Sequence, residues 1–146
     1  MTPLDVRVAA AQATREAFCD QTFEWGVRDC VRLAAHDLKG LGYRPRLSRG
    51  GYYKTALSAR KALKRTGFAT LEAALDDLGL ARLPWAYALP GDIVALPSAE
   101  DWPALGVVMD QTLVLAFAPD GVCRLAKPAA ADILCLWSAA PCLKPR

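Results

Sequence analysis

Histidine is nearly absent from this sequence, since His36 is the single example among 146 residues. A metal site built from several imidazoles is therefore excluded. Cysteine occurs five times, but no two cysteines have the Cys-x-x-Cys spacing, so zinc and iron–sulfur sites gain little support. We expect no metal and no cofactor, and we expect reduced, mostly structural thiols at Cys19, Cys30, Cys123, Cys135 and Cys142.

Long apolar runs are also lacking. No stretch approaches the roughly 18 consecutive apolar residues that a membrane-spanning helix needs. The segment Met1–Arg7 has no basic region followed by an apolar one, so no signal peptide is expected. These absences predict a protein without membrane insertion that is made and folded in a reducing cytoplasm.

The composition is that of a folded globular chain, with 53% hydrophobic and 23% charged residues. A length of 146 residues predicts one domain. We expect this single domain to span 1–146, with a helical part over about 1–80, a sheet part over about 81–140 and a short C-terminal tail.

The hydrophobic period changes near residue 80, and this change predicts the fold class. Helical spacing comes first, with helices predicted over Pro3–Phe18, Asp29 or Cys30 to about Lys39, about Lys54–Arg65 and about Leu71–Leu78. Short β-rich segments follow, over Ala81–Leu83, Ile93–Leu96, Leu105–Met109, Thr112–Phe117, Gly121–Leu125 and Ile133–Trp137. This order predicts an α+β fold, with N-terminal helices packed on an antiparallel sheet of about five strands.

Acidic residues are missing from the segment Lys39–Arg65, which holds nine basic residues. Such a block can be a solvated helix face and loop, a contact for an acidic protein partner or a footprint for nucleic acid. The net charge of only +3, and the lack of a stacking platform beyond Tyr52-Tyr53, argue against nucleic acid. The candidate partner-binding residues of this basic block are Arg44, Arg46, Arg49, Arg60, Lys61 and Lys64.

Cys30 is the candidate nucleophile. Asp29 is a good N-cap, so Cys30 falls in the first turn of a helix, where the partial positive charge favours thiolate. Gly26 is expected to let the chain turn tightly into Asp29, and Trp25 to be largely buried against the start of this helix. The alternative is that Cys30 is a small apolar residue filling a helix–sheet interface, as free cysteines often do.

The order of elements resembles the NlpC-type branch of the papain-like cysteine peptidases. In that branch a helix begins with Asp-Cys, and an antiparallel sheet follows, with a Gly-Asp-hydrophobic-Val strand start and then a His-Val-Gly-Ile strand. Asp29-Cys30 and Gly91-Asp92-Ile93-Val94 match the first two motifs. Ala104-Leu105-Gly106-Val107 stands where the histidine strand should be. The resemblance implies a papain-like fold.

From about Phe18 to Ser138 the chain is more closely similar to a family of small phage and prophage tail-cluster proteins of unassigned function. The resemblance implies a component of the virion tail tip, made in the bacterial host cytoplasm, that docks on other tail-tip and hub proteins. The signature residues are Phe23, Trp25, Gly26, Asp29, Tyr52, Gly91, Asp92 and Gly106, with Arg49-Gly50-Gly51, Gly67 and Trp137 among the other matches.

The catalytic base of a cysteine peptidase is missing. Ala104 occupies the position where the resemblance implies a histidine, and alanine cannot transfer a proton. His36 lies six residues after Cys30, which on one helix is about 120° round and about 9 Å along the axis. Asp110 and Asp120 are near the predicted hairpin, but a carboxylate near its normal pKa is a poor base for a thiol. We expect the fold to be kept and the dyad to be lost.

Two function classes follow from these observations. The first is a structural, catalytically silent papain-like domain that docks at a tail tip through the basic block or through a groove beside Cys30. The second is an active cysteine peptidase or amidase that cuts peptidoglycan during infection, as the more distant active relatives imply. A nucleic-acid-binding module has only the basic block in its favour.

Overall fold

The computed structural model describes residues 1–46, 53–100 and 102–142. Within these ranges the helices are α1 Pro3–Phe18, α2 Cys30–Gly40, α3 Ala56–Arg65 and α4 Leu71–Asp77. The strands are β1 Ala81–Arg82, β2 Ile93–Leu96, β3 Ala104–Val108, β4 Val114–Phe117, β5 Cys123–Ala126 and β6 Cys135–Ser138. Short 3₁₀ helices span Trp85–Tyr87 and Ala130–Asp132. The predicted α+β class is confirmed. Arg49, Tyr52 and the two glycines between them lie outside the described residues.

The strands form one sheet in the order β1-β6-β2-β3-β4-β5, and every neighbouring pair is antiparallel. The antiparallel arrangement is therefore confirmed, with six strands in the described chain where about five were predicted. The shortest strand is β1, in which Ala81 pairs with Ser138 and Arg82 with Trp137. It lies within the segment Ala81–Leu83 that was predicted to be β-rich.

Side-chain caps determine where the helices begin. Thr2, Thr55 and Thr70 each accept a hydrogen bond from a first-turn amide, and Asp29 does the same for α2. Ser58 completes a capping box with Thr55, so α3 begins two residues later than the predicted start at Lys54. No helix in the described ranges is both long enough and apolar enough to cross a membrane.

The main core lies between α2 and the helical face of the sheet. Leu33 and Leu38 of α2 are fully buried, as are Ile93 of β2, Leu105 of β3 and Trp137 of β6. Helix α1 packs on α2, and α2 packs on β3. The first turn of α2 is therefore held against the start of β3, and this contact sets the geometry of the candidate site.

A buried ion pair fixes the turn that leads into β2. Arg7 Nη1 donates to Asp92 Oδ1 at 2.6 Å, and both side chains are almost completely buried. Asp92 also accepts hydrogen bonds from the amides of Leu89 and Ala139, each at 2.9 Å. Gly91 precedes it with a φ of +86°, a conformation that favours glycine. The Gly91-Asp92 motif thus ties α1, β2 and the chain after β6 together.

Gly106 is required by close packing at the centre of the sheet. A Cβ on this residue would lie 2.6 Å from Cγ1 of Val114 and 3.1 Å from the carbonyl O of Leu115, both on the facing strand β4. Either distance is shorter than normal van der Waals contact, so a side chain at position 106 would push β3 and β4 apart.

Candidate functional site

Asp29 organises the start of α2 with both of its oxygens. Oδ1 accepts the amide of Arg32 at 2.9 Å, and Oδ2 accepts the amide of Gly26 at 2.9 Å. Oδ2 also accepts the hydroxyl of Tyr53 at 2.7 Å. The carboxylate is fully buried and is used as a structural acceptor. These three bonds fix the position of Cys30, the next residue.

Gly26 makes the tight turn that the sequence predicted. Its φ is +78°, and a Cβ at this position would lie 2.3 Å from the carbonyl O of Tyr53. Its amide donates to the carboxylate of Asp29. The chain can therefore pass under Tyr53 and reach Asp29 only without a side chain at position 26.

Trp25 is buried over most of its surface but not completely, and it packs against the buried cluster of Tyr53, Ala59 and Ala62. Its ring packs edge-on against Phe23, with the ring centroids 4.8 Å apart. The centroids of the Tyr53 and Trp102 rings lie 6.4 and 6.3 Å from that of Trp25. The remaining part of the ring is accessible because it faces a groove. Trp25 therefore belongs to an aromatic wall and not to the core beneath α2.

Cys30 and Ala104 line the same groove, which has a volume of about 680 Å³. We call it the Cys30 groove. Its walls carry four aromatic side chains and three prolines, which are Phe23, Trp25, Trp102, Phe117, Pro97, Pro103 and Pro119. The volume is in the range of binding pockets for small ligands or peptide side chains. The two sequence positions that matter for a cysteine peptidase, nucleophile and missing base, therefore meet at one place.

The Cys30 thiol is buried, with 6% of the residue exposed. This burial raises the pKa of the thiol to about 12, and the negative charge of Asp29 contributes to the rise. A hydrogen bond from the main chain of Leu105 acts in the opposite direction without offsetting the burial. The expectation that the helix start favours thiolate is therefore wrong, because desolvation outweighs the partial charge of the helix end.

His36 faces away from the groove, toward α1. Its Nδ1 shares a hydrogen bond of 2.8 Å with Thr14 Oγ1, and its ring packs edge-on against Phe18 with centroids 5.7 Å apart. Burial lowers the pKa of this half-buried imidazole. His36 therefore serves the contact between α1 and α2, which agrees with its predicted position on the wrong side of the helix for Cys30.

Asp110 and Asp120 are both used in turns. Asp110 Oδ1 accepts the amides of Thr112 and Leu113 at 2.8 and 2.9 Å. Asp120 accepts the amide of Val122 and forms an ion pair with Arg124. These hydrogen bonds hold the pKa of both carboxyl groups below the ordinary value. Each is therefore a weaker base than a normal aspartate and a poor candidate to deprotonate a thiol.

Glu100 is the one carboxylate among the described residues that line the Cys30 groove. Ser98 donates to the carbonyl O of Trp102 at 2.6 Å and accepts the amide of Glu100 at 3.1 Å. Glu100 itself is exposed.

Over the described ranges, no imidazole or carboxylate forms a hydrogen bond with the sulfur of Cys30. In the same ranges, no cluster of His, Cys, Asp and Glu could hold a metal ion.

The described residues of the basic block lie on two segments of the chain. Arg44 and Arg46 are exposed in the loop after α2. Lys61 and Lys64 are exposed on α3, opposite its buried face, while Arg60 is half-buried. In the part of the chain that the structure describes, neither Lys61 nor Lys64 is within ion-pair distance of a carboxylate. Both are therefore available to an acidic surface.

Asp37 is a buried acid that the sequence analysis missed. It is fully buried in α2, and neither carboxyl oxygen has a hydrogen-bond partner in the described chain. Burial raises its pKa well above the ordinary value, the charge of Asp92 adds to the rise and Arg7 opposes it. The sequence does contain one indication of this burial. Position 37 lies four residues after Leu33, so both residues are on the apolar face of the predicted helix.

The fold and the groove define an α+β domain with a cysteine at the start of its central helix and an apolar groove beside it. The family described as Domain of unknown function (DUF6950) matches residues 5–138, which is most of the chain. The chain therefore belongs to the DUF6950 family. No curated protein matches it.

Proposed function

We propose that this chain is a structural component of a bacteriophage tail tip or tail-like particle. In this proposal a catalytically silent, papain-like domain of the NlpC type docks on tail hub proteins. The observation that carries the proposal is that Cys30 and Ala104 line the same groove. The cysteine of the nucleophile position is kept, whereas the position of the base holds an alanine, which cannot accept a proton.

The chemistry of Cys30 supports a silent site. Burial raises the pKa of the Cys30 thiol to about 12, so the thiol is almost entirely neutral at pH 7. The neutral thiol is a poor nucleophile, and no imidazole among the described residues contacts it to remove the proton. General acid–base catalysis typically contributes about 10²- to 10⁴-fold, so its loss would leave little hydrolysis.

The papain-like assignment is supported by how the elements meet. The motif order implied that the start of the cysteine helix faces the start of the histidine strand. Cys30 opens α2, Ala104 opens β3, and both line one groove. Helices that precede an antiparallel sheet in the chain are also the order that the resemblance implies.

The Cys30 groove and the basic block are the two surfaces that suit docking. Aromatic side chains such as Trp25 and Trp102 are the residues that most often anchor protein interfaces, and both are partly exposed. Lys61 and Lys64 add a cationic face that would meet an acidic partner. A hub protein that offers an apolar segment and an acidic patch would match both surfaces.

The proposal is tested by mass spectrometry of purified particles. Cells that carry the gene in its natural context are induced, tail particles are purified by density gradient, and their proteins are quantified. The proposal expects the chain in a fixed ratio to the hub proteins when the particles are washed at about physiological salt. Its absence from particles, with the protein abundant in the lysate, would contradict a structural role.

The alternative function is an active cysteine peptidase or amidase that acts on peptidoglycan during infection. One observation favours it: Cys30 lines a groove with room for a peptide side chain. A base would then have to come from another chain of the particle. Hydrolysis of cell-wall fragments by purified particles, but not by the isolated chain, would support this alternative.

A further inference from the structure

Cys19 and Cys123 meet where the end of α1 approaches the edge strand β5. The amide of Asp20 donates to the carbonyl O of Cys123 at 2.8 Å, and the amide of Cys123 donates to the carbonyl O of Gln21 at 2.9 Å. With standard bond lengths, the first of these bonds keeps the Cα atoms of Cys19 and Cys123 within about 7.5 Å of each other. Disulfides join Cα atoms roughly 4.4–6.8 Å apart, so at most a small adjustment is needed.

The two thiols also share one environment. Cys123 is fully buried on the helical side of the sheet, and half-buried Cys19 packs against the same core cluster. Burial raises the pKa of Cys123 to about 12, and negative charge on Cys19 adds to the rise. The charge effect and the shared core cluster place both side chains in the same region of the fold. Cys19 is the accessible member of the pair, and Cys123 is the protected one.

The backbone between them is a turn that can adjust. Asp20 has a φ of 68°, in the left-handed region that aspartate tolerates better than most residues. The turn reverses the chain after α1 and brings Thr22 into a bridge with Val122. Among the described strands, β5 pairs with β4 alone, so this junction also protects part of a sheet edge.

We propose that Cys19 and Cys123 form an intramolecular disulfide when the folded protein meets a low-molecular-weight disulfide such as oxidised glutathione. The Cys19 thiolate attacks one sulfur of glutathione disulfide, and one glutathione leaves as a thiol. Cys123 then gives up its proton and attacks the adjacent sulfur of Cys19, which breaks the mixed disulfide and releases the second glutathione as a thiol. Few Cys123 thiols are ionised at one time, but the attack is intramolecular, and the high local concentration of the two sulfurs offsets this. The two protein thiols lose two electrons and two protons, and one glutathione disulfide becomes two glutathione thiols.

The bond would connect α1 to β5 covalently and would fix the turn just before Phe23. Phe23 packs on Phe117 with ring centroids 5.2 Å apart and forms part of the wall of the Cys30 groove. A tail component leaves the reducing cytoplasm when the host lyses, so the crosslink would form in the released particle. This last consequence rests on the proposed function, whereas the crosslink itself does not.

The test uses the purified, folded, reduced chain incubated with oxidised glutathione at about pH 8, where thiol exchange is faster. Intact mass spectrometry is expected to show the loss of two hydrogens, and digestion under non-reducing conditions to give one linked peptide pair with Cys19 and Cys123. A crosslink across so long a loop is expected to raise Tm by roughly 10 °C, reversed by dithiothreitol.

Three variants separate the outcomes. Cys19→Ser should abolish the crosslink, while Cys123→Ala should leave glutathione attached to Cys19. Cys135→Ser removes another half-buried thiol and should change nothing. Crosslinks that involve other cysteines, a stable glutathione adduct on Cys19 of the wild-type chain, or a bond that forms only in denaturant would each overturn the proposal. The assay needs no particle, so its failure would leave the proposed function standing.

Discussion

Asp92 and Asp37 are both fully buried, but they differ in their hydrogen-bond partners. Asp92 is paired with Arg7 and accepts two main-chain amides. Asp37 has no hydrogen-bond partner in the described chain, and burial together with the nearby charge of Asp92 raises its pKa. Of these two buried acids, Asp92 has its hydrogen bonds satisfied, whereas burial without partners favours the neutral form of Asp37.

Asp37 should make the protein less stable as the pH rises. Its pKa in the folded state is above the ordinary value of 3.8, so between these two values the folded chain binds more protons than the unfolded chain. The free energy of unfolding then falls with rising pH across that window. Asp37→Asn removes the ionisation, so the variant should gain stability relative to wild type as the pH is raised.

Chemical denaturation of both proteins, at steps from about pH 5 to about pH 8, measures this difference directly. Asp76→Asn serves as a control, because Arg82 and Trp137 hold the pKa of exposed Asp76 below its ordinary value. The control should not gain relative stability at high pH. A constant difference between Asp37→Asn and wild type over the whole range would contradict a raised pKa of Asp37.

Gly26 and Gly67 form a matched pair of positive-φ glycines. Gly67 has a φ of +100° with open space around a would-be Cβ, whereas a Cβ on Gly26 would strike the carbonyl O of Tyr53. Gly67→Ala should therefore cost only backbone strain of about 1 kcal/mol, and Gly26→Ala about 3 kcal/mol or more. Urea unfolding of the two variants checks the difference, and equal losses would mean that the Tyr53 contact is not a constraint.

At the scale of elements, the sequence predicted local structure best where a cap and an apolar stripe agree. Helix α1 has the predicted bounds, with Thr2 and Pro3 at its start. Helix α3 begins later than predicted because the true cap is Thr55. Strand β2 has the predicted bounds, while the other strands differ by one or two residues at one or both ends. Strand ends depend on pairing partners that no local pattern reveals.

The exposed face of α3 is the element that the proposed function uses. Changing Lys61 and Lys64 to Glu should leave the fold intact, because both side chains are exposed, and should weaken attachment to an acidic hub surface. Attachment of the wild-type chain should also weaken as salt is raised. The measurement is the amount of chain retained by purified particles at several salt concentrations.

A control with the same change in charge uses exposed residues elsewhere. Arg15 lies on α1 and Lys127 follows β5, and neither belongs to the basic block. Changing both to Glu should leave retention near the wild-type level. If the Lys61 and Lys64 variant is retained as well as the control at every salt concentration, the basic block is only a solvated face.

At the scale of the whole molecule, the candidate site depends on contacts that no single segment contains. The sequence located Cys30, Asp29 and Gly26 because a cap and a turn are local features. It could not locate Trp102 or Phe117, which reach the Cys30 groove from a loop and a strand far along the chain. It also gave the wrong direction for the acidity of Cys30, because burial depends on the complete fold.

The central claim is that Cys30 is not a working nucleophile. The most direct measurement compares particles that carry wild-type chain or Cys30→Ala, for infectivity and for release of fragments from purified peptidoglycan. Assembled particles are used so that a base from a neighbouring chain would be present. We predict equal infectivity and no hydrolysis that depends on Cys30, whereas fragment release that disappears in Cys30→Ala would contradict this account.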